Sequence, residues 1–430
     1  MDQPWIWQGS PASPALAESA AATQGEVVNL LPASLRAALA GGAGGALAAL
    51  LLLGLDLLQR TIWGAALAEG LATPRSLAWC LAVPSGIGLL LCCLGAQRPA
   101  GRLPEFGDTL AGLRRRSGDH DPSAAERPVA GLRQALAGGL ALLGGGSLGP
   151  EALVSHAVAA LCRWIWRGHD QRVAAAALAG SLGFFGTPLA GPIALTGRRP
   201  SLIWRWLPGT LAGLTGFIAF QGLKGLGGGL AAAPWSAPQL DQAPIPAVLV
   251  AFAGGAVGCG CGEALHHWRR WLRARCGPQG HPLAPLFTGV AVGLALWALP
   301  LAAFSGEQQL LPLLLGGSQH PPITWILGGV LKLLLAGLCL ETGWRGGLIF
   351  PVLTGSAAIG MGLHQLLPAL GAAGVWCGSA VGGSLGVLLP SPLLALVLGL
   401  ALLRGHGADA LLLGLLISQV VRSRRSRHRS

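Results

Sequence analysis

Two stretches of the chain place reactive residue types where glycine controls the backbone. Residues 144–153 read Gly-Gly-Gly-Ser-Leu-Gly-Pro-Glu-Ala-Leu, so a lone carboxylate, Glu151, heads an apolar run. Residues 343–353 bring Gly346 and Gly347 directly before Leu348, Ile349, Phe350 and Pro351. Proline suits the first helical position, where its missing N–H costs nothing, and glycines ahead of it let the backbone turn tightly. A helix begun this way presents unpaired N–H groups and the positive end of its dipole. Inside a bilayer such a start is an anion site made of backbone. Glu151, at the second helical position after Gly149 and Pro150, is stabilised by the same dipole. When ionised it repels or replaces a small anion; when protonated it frees the site. The alternative for Glu151 is a helix cap at a membrane surface, although an intramembrane carboxylate, being costly to bury, marks function.

Other reactive types carry less. Ser147 and Ser384 with His156 are the residue types of a serine nucleophile and its base, the basis for an intramembrane protease. Ser147, however, precedes a helix start as a cap does, and His156 reads as a packing residue. Cys259 and Cys261 with His266 and His267 lack a second cysteine pair at zinc spacing, so neither metal nor cofactor is expected. Among the remaining acids, Asp56 and Glu69 are expected at interfaces and Glu263 in an ion pair beside a basic loop. Glu307 and Glu341 are expected to cap neighbouring helices, and Asp409 to start the last apolar run. Glu341, just before the second glycine-rich turn, has the next-best claim to a functional role.

The elements that must position these residues are membrane helices. The 430 residues are 52% hydrophobic and 11% charged, with a mean hydropathy of +0.58; a soluble domain carries about 25% charged residues. Segments 37–55, 130–148, 173–195, 245–265, 283–304, 323–340 and 346–363 are apolar and approach the roughly 20 residues that cross hydrocarbon. The 68 glycines allow close helix approach and re-entrant backbone. No Arg-led region precedes an apolar core in the first thirty residues, so no signal peptide is expected. Basic clusters at 113–115, 198–199, 269–275 and 422–429 account for much of the net charge of +12, and all are expected on the cytoplasmic side. Nothing accompanies them that would suggest nucleic-acid binding. The nine cysteines, scattered through apolar stretches, behave as small hydrophobes.

The chain also repeats itself. "GGAGG" at 41–45 is matched by "GGAVG" at 254–258, "GSLGFFGTPLAG" at 180–191 by "GSLGVLLPSPLLA" at 383–395, and "GGGSLGPEAL" by "GWRGGLIFPVL". The offsets are about 200 to 213 residues, in the same order. Basic ends give the halves opposite directions, the inverted-repeat plan whose sites lie near the membrane midplane. The expected organisation is a cytoplasmic segment 1–34, a first repeat 35–225, a linker 226–244, a second, inverted repeat 245–421 and a basic cytoplasmic tail 422–430. The fold class is an all-α polytopic membrane protein with two inverted-topology repeats and broken, re-entrant helices.

These stretches resemble the CLC family of chloride channels and chloride/proton exchangers, over about residues 35 to 421. "GGGSLGPEAL" resembles its Gly-x-Glu-Gly-Pro motif and "GGLIFP" its Gly-x-Phe-x-Pro motif. "FFGTPLAGPIAL" is similar to a helix start of the family, and "SGEQQLL" to a segment before its second-half pore helices. The resemblance implies that Glu151 is a gating glutamate. It implies an anion held at Gly149, Pro150, Gly347, Leu348, Ile349 and Phe350, above all by the Leu348 and Ile349 amides. Departures are as informative. Ala152 and Leu153 replace the motif's closing Gly-Pro. "AGRLPE" at 100–105 puts Gly101 where the family has an anion-binding serine, while "PSGIG" at 84–88 lies too early. There is no tyrosine, and the family's last helix, with its coordinating tyrosine, is expected to be missing; no soluble regulatory domain is expected either. Arg198 falls where exchangers carry an inner proton-passing glutamate, and a guanidinium cannot be deprotonated in a protein.

The expected function is therefore a gated chloride or small-anion channel, not an enzyme, acting as a homodimer among membrane lipid. Its expected place is a bacterial inner or plasma membrane, with the C-terminus cytoplasmic. An anion/proton antiporter, a non-conducting relative and a polytopic membrane enzyme are the alternatives.

Overall fold

Small residues decide how the helices pack. Helix α1 (Leu30–Trp63) carries the first Gly motif, and α5 (Gln171–Ser181) and α7 (Ile203–Lys224) lie against it. A side chain at Gly41, Gly44 or Gly45 would strike the backbone of Ala212, Ala177 or Gly216 respectively. The second half repeats this: α8 (Pro244–Cys276) packs on α13 (Ala373–Leu388) and α15 (Ala408–Arg427). There Gly258 meets the backbone of Ala380, and Gly255 that of Gly414. Backbone contact of this kind is what small residues permit where lipid supplies no hydrophobic drive between helices. The duplicated motifs are thus the same packing joint, used once in each half.

The structure is a computed structural model and describes residues 30–64, 75–98, 103–107, 109, 128–166, 171–196, 203–224, 244–277, 280–316 and 320–427. Its other helices are α2 (Leu77–Cys93), α3 (Pro128–Leu143), α4 (Glu151–Trp166), α6 (Ala190–Thr196), α9 (Ala284–Ala298), α10 (Glu307–Gly316), α11 (Pro322–Thr342), α12 (Ile349–Leu366) and α14 (Pro392–Leu402). Among the described residues Ala33–Trp63, Ile245–Cys276, Pro322–Thr342 and Ile349–Leu366 are long and apolar enough to cross a membrane. Large apolar side chains such as Leu39, Leu50, Leu249, Phe287 and Leu416 point outward, as lipid contact requires. Helix α2 packs against its counterpart α9, with Gly88 on the Pro285 backbone and Gly289 on that of Pro84. The "PSGIG" stretch is therefore part of a helix-packing seam.

Helix α1 starts at Leu30, inside the stretch expected to precede the first repeat. Helix α15 runs on through Ser423 to Arg427, so most of the expected tail is helical; the Arg422 guanidinium donates to the Gly386 and Leu389 carbonyls at the end of α13. Helix α12 begins at Ile349, two residues before Pro351, because a first-turn residue needs no amide hydrogen. Most of the expected linker, Gly101 and Arg198 lie outside the described residues.

Candidate functional site

Both halves break a helix at the same place. The chain leaves α3 at Leu143 and re-enters helix at Glu151; it leaves α11 at Thr342 and re-enters at Ile349. Gly145 and Gly343 make the turns with φ of 80° and 105°, which only glycine adopts without strain. The turns interlock. Trp344 is buried, donates its indole N–H to the Pro285 carbonyl at 2.8 Å, and covers Gly144 and Gly146. Gly149 and Gly347 form an antiparallel bridge, each N–H donating to the other's carbonyl at 2.8 and 2.7 Å. Strands are not involved; two helix starts from opposite halves are stitched together by two backbone bonds.

Glu151 lies across that stitch. It has no exposed surface, and its Oε1 accepts the Ile349 N–H at 2.6 Å. Its Oε2 is buried and makes no hydrogen bond of ordinary geometry among the described residues. A Cβ added to Gly347 or to Gly149 would overlap the Glu151 carboxyl group, so both glycines are emptied to receive it. The first-half acid thus occupies the N-terminus of the second-half helix α12, whose leading amides have no partner within the helix. One backbone donor and the helix dipole meet at one carboxylate oxygen.

The sequence-predicted residues divide accordingly. Glu151, Gly149, Pro150, Gly347, Leu348, Ile349 and Phe350 all meet at this point. The Gly149 and Gly347 amides are committed to each other, and Pro150 has none. The donors heading α12 are therefore those of Leu348, its N-cap, and of Ile349 and Phe350. Phe350 is buried and stacks on Phe185 at 5.6 Å, and Phe106 meets Phe185 edge-on at 6.3 Å. This aromatic chain links the start of α12 to the segment 103–107. Ser147 donates to the Lys332 carbonyl at 2.9 Å, His156 Nε2 faces the Gly131 carbonyl at 3.2 Å, and Ser384 accepts from Ser356 and donates to Val381. Glu341 does not cap a helix. Arg269 and Arg273 hold it at 2.8 and 2.9 Å, and Arg269 also binds Glu105. Glu307 pairs with Lys224 at 2.8 Å.

One charged residue escaped the sequence reading. Lys332 is wholly buried in α11, and its Nζ donates to the carbonyls of Leu301, Ala303 and Phe304 and to Gln309 Oε1, at 2.8 to 3.1 Å. The signal was available: Lys332 is the only charged residue between Pro322 and Leu340, and ionisable residues inside apolar spans mark function by default.

With this geometry in hand, the comparisons are specific. The family model described as "Voltage gated chloride channel" matches residues 104–423. A slow cyanobacterial Cl-/H+ antiporter aligns with a TM-score of 0.67 at 17% identity, covering 90% of this chain and 94% of that one. A CLC-type fluoride/proton antiporter gives 0.52 at 20%, covering 85% and 94%. A eukaryotic CLC transporter gives 0.62 at 16%, covering 90% and 72%. Among curated proteins no sequence relative matches.

Proposed function

The chain belongs to the voltage gated chloride channel family, and on that premise we propose that it is a gated path for chloride or a similar small anion. The observation that carries this is the Glu151 carboxylate on the Ile349 amide. A chloride ion seeking the same amide meets that oxygen, so side chain and anion exclude each other. With Glu151 seated the path is closed; with Glu151 neutral or swung aside, the head of α12 receives the anion. Selectivity comes from amide dipoles, without help from a tyrosine hydroxyl, since the chain has none.

Conduction is proposed as channel-like, because Arg198 holds the position that the family resemblance gives to an inner proton-passing glutamate. Antiport of the anion against protons is the second reading, favoured by the antiporters among the solved structures of like fold. The active form is proposed to be a homodimer in a bacterial inner or plasma membrane, with the Arg-rich end of α15 in the cytoplasm.

The test is chloride efflux from proteoliposomes carrying the native chain or Glu151→Ala. Faster efflux that no longer depends on pH is expected of the variant. Background leak from both chains rejects permeation. Uphill chloride movement driven by a proton gradient alone replaces the channel reading with antiport.

A further inference from the structure

Lys332 is a wholly buried lysine whose hydrogen-bond partners among the described residues include no carboxylate. Its three N–H groups are shared among four neutral oxygens, three of them backbone carbonyls of residues 301–304. None of the ion pairs among the described residues includes it. A lysine needed only to satisfy loop carbonyls would do so at the cost of burying an ion, which is large unless something is gained from the charge.

The cage that holds this ammonium is tied to both sides of the anion site. The Phe304 N–H donates to the Gly145 carbonyl at 2.9 Å, on the turn that leads to Glu151. Thr354 Oγ1 donates to the Gly306 carbonyl at 3.1 Å, and Ser147 Oγ to the Lys332 carbonyl itself. Gly306 in turn abuts Lys332, since a Cβ there would lie 2.9 Å from Lys332 Cε. Thr354 follows Ile349 by five residues of helix, a rise of about 7.5 Å. A unit charge on the order of 10 Å from a monovalent anion, at an effective dielectric of about 20, changes the affinity for that anion roughly tenfold.

We propose that Lys332, caged by Leu301, Ala303, Phe304 and Gln309, is a fixed intramembrane cation that sets the anion affinity of the site at the head of α12. It acts as a positioning residue through its field and does not touch the ion. The inference rests on the anion-site reading above and deepens it.

The experiment is chloride titration of the purified full-length chain by calorimetry, with thermal unfolding measured in parallel. Gln309→Glu keeps the lysine and its cage but supplies a negative partner; Lys332→Met removes the charge; Lys332→Arg keeps it. Expected are about tenfold weaker chloride binding in folded Gln309→Glu and Lys332→Met, and binding within about twofold of native in Lys332→Arg. Native affinity in folded Gln309→Glu or Lys332→Met overturns the inference. Failure of all three to fold also overturns it, by assigning the lysine to the scaffold alone. Absence of chloride binding by the native chain is a different result, because it rejects the anion-site reading first.

Discussion

Gly347→Ala is the perturbation that isolates the seat of Glu151 without touching the acid. The new methyl would coincide with the Glu151 carboxyl group, and the flexible side chain must give way. The backbone raises no objection, since the φ of Gly347 is not among the left-handed values. Leaving the seat forfeits a charge-assisted bond to the Ile349 amide, about 1.5–3 kcal/mol, and the helix-dipole term, about 0.3–1 kcal/mol. The seated state is thus disfavoured by about 2–4 kcal/mol, a shift of roughly thirty- to several-hundred-fold in the seated-to-displaced ratio. Chloride efflux from proteoliposomes at neutral pH should rise toward that of Glu151→Ala and lose its acceleration at acid pH. The double variant Gly347→Ala/Glu151→Ala, compared with Glu151→Ala, reads what the methyl does to the ion by itself, and the cycle gives the coupling. If folded Gly347→Ala keeps both the native rate and the native pH response, Glu151 is not seated there in the working protein and the gating scheme is wrong.

Two further expectations concern the scaffold. Arg269→Met leaves Glu105 and the nearly buried Glu341 with one guanidinium fewer, so the thermal midpoint in detergent should drop in line with a loss of about 3 kcal/mol; an unchanged midpoint would show that Arg273 suffices. Gly258→Leu drives a side chain into the Ala380 backbone and should abolish the monodisperse peak in size exclusion. Gly54→Ala, in the same kind of helix but with open space around it, should leave that peak intact and stabilise the chain by up to about 1 kcal/mol. Equal behaviour of the two variants would contradict the packing-joint account.

How much of this was legible beforehand depends on what each residue does. The meeting of Glu151 with Ile349 follows from local rules that a sequence displays: Gly-Pro before a helix, a lone acid, and a second Gly-Gly start in an inverted copy. The helix start at Ile349 could not be fixed from Pro351, because proline signals a first turn but does not say which residue of that turn it occupies. The Gly149–Gly347 bridge could not be read, since it depends on how close two turns 198 positions apart approach; it turns two expected amide donors into a strut. Glu341 looked like a cap from its place at a helix end, whereas its partners come from α8, distant in the chain. Lys332 is legible as the one charged residue between Pro322 and Leu340, but the carbonyls that cage it come from a separate loop that the sequence does not bring near.

The bridge also bears on how the proposed gate would move. Parting the two halves would break two backbone hydrogen bonds at once and leave four buried polar groups without those partners, each at a cost of about 1–3 kcal/mol. Rotating the Glu151 side chain breaks one bond, to the Ile349 amide, and leaves Gly149 and Gly347 paired. The smaller cost lies with the side chain. Rocking of one repeat against the other, the usual alternating-access motion of inverted-repeat transporters, is therefore opposed at the site itself, whereas a swing of one carboxylate is not. The two glycines serve both conditions: without side chains they come close enough to bond, and they leave the hollow into which the carboxylate fits.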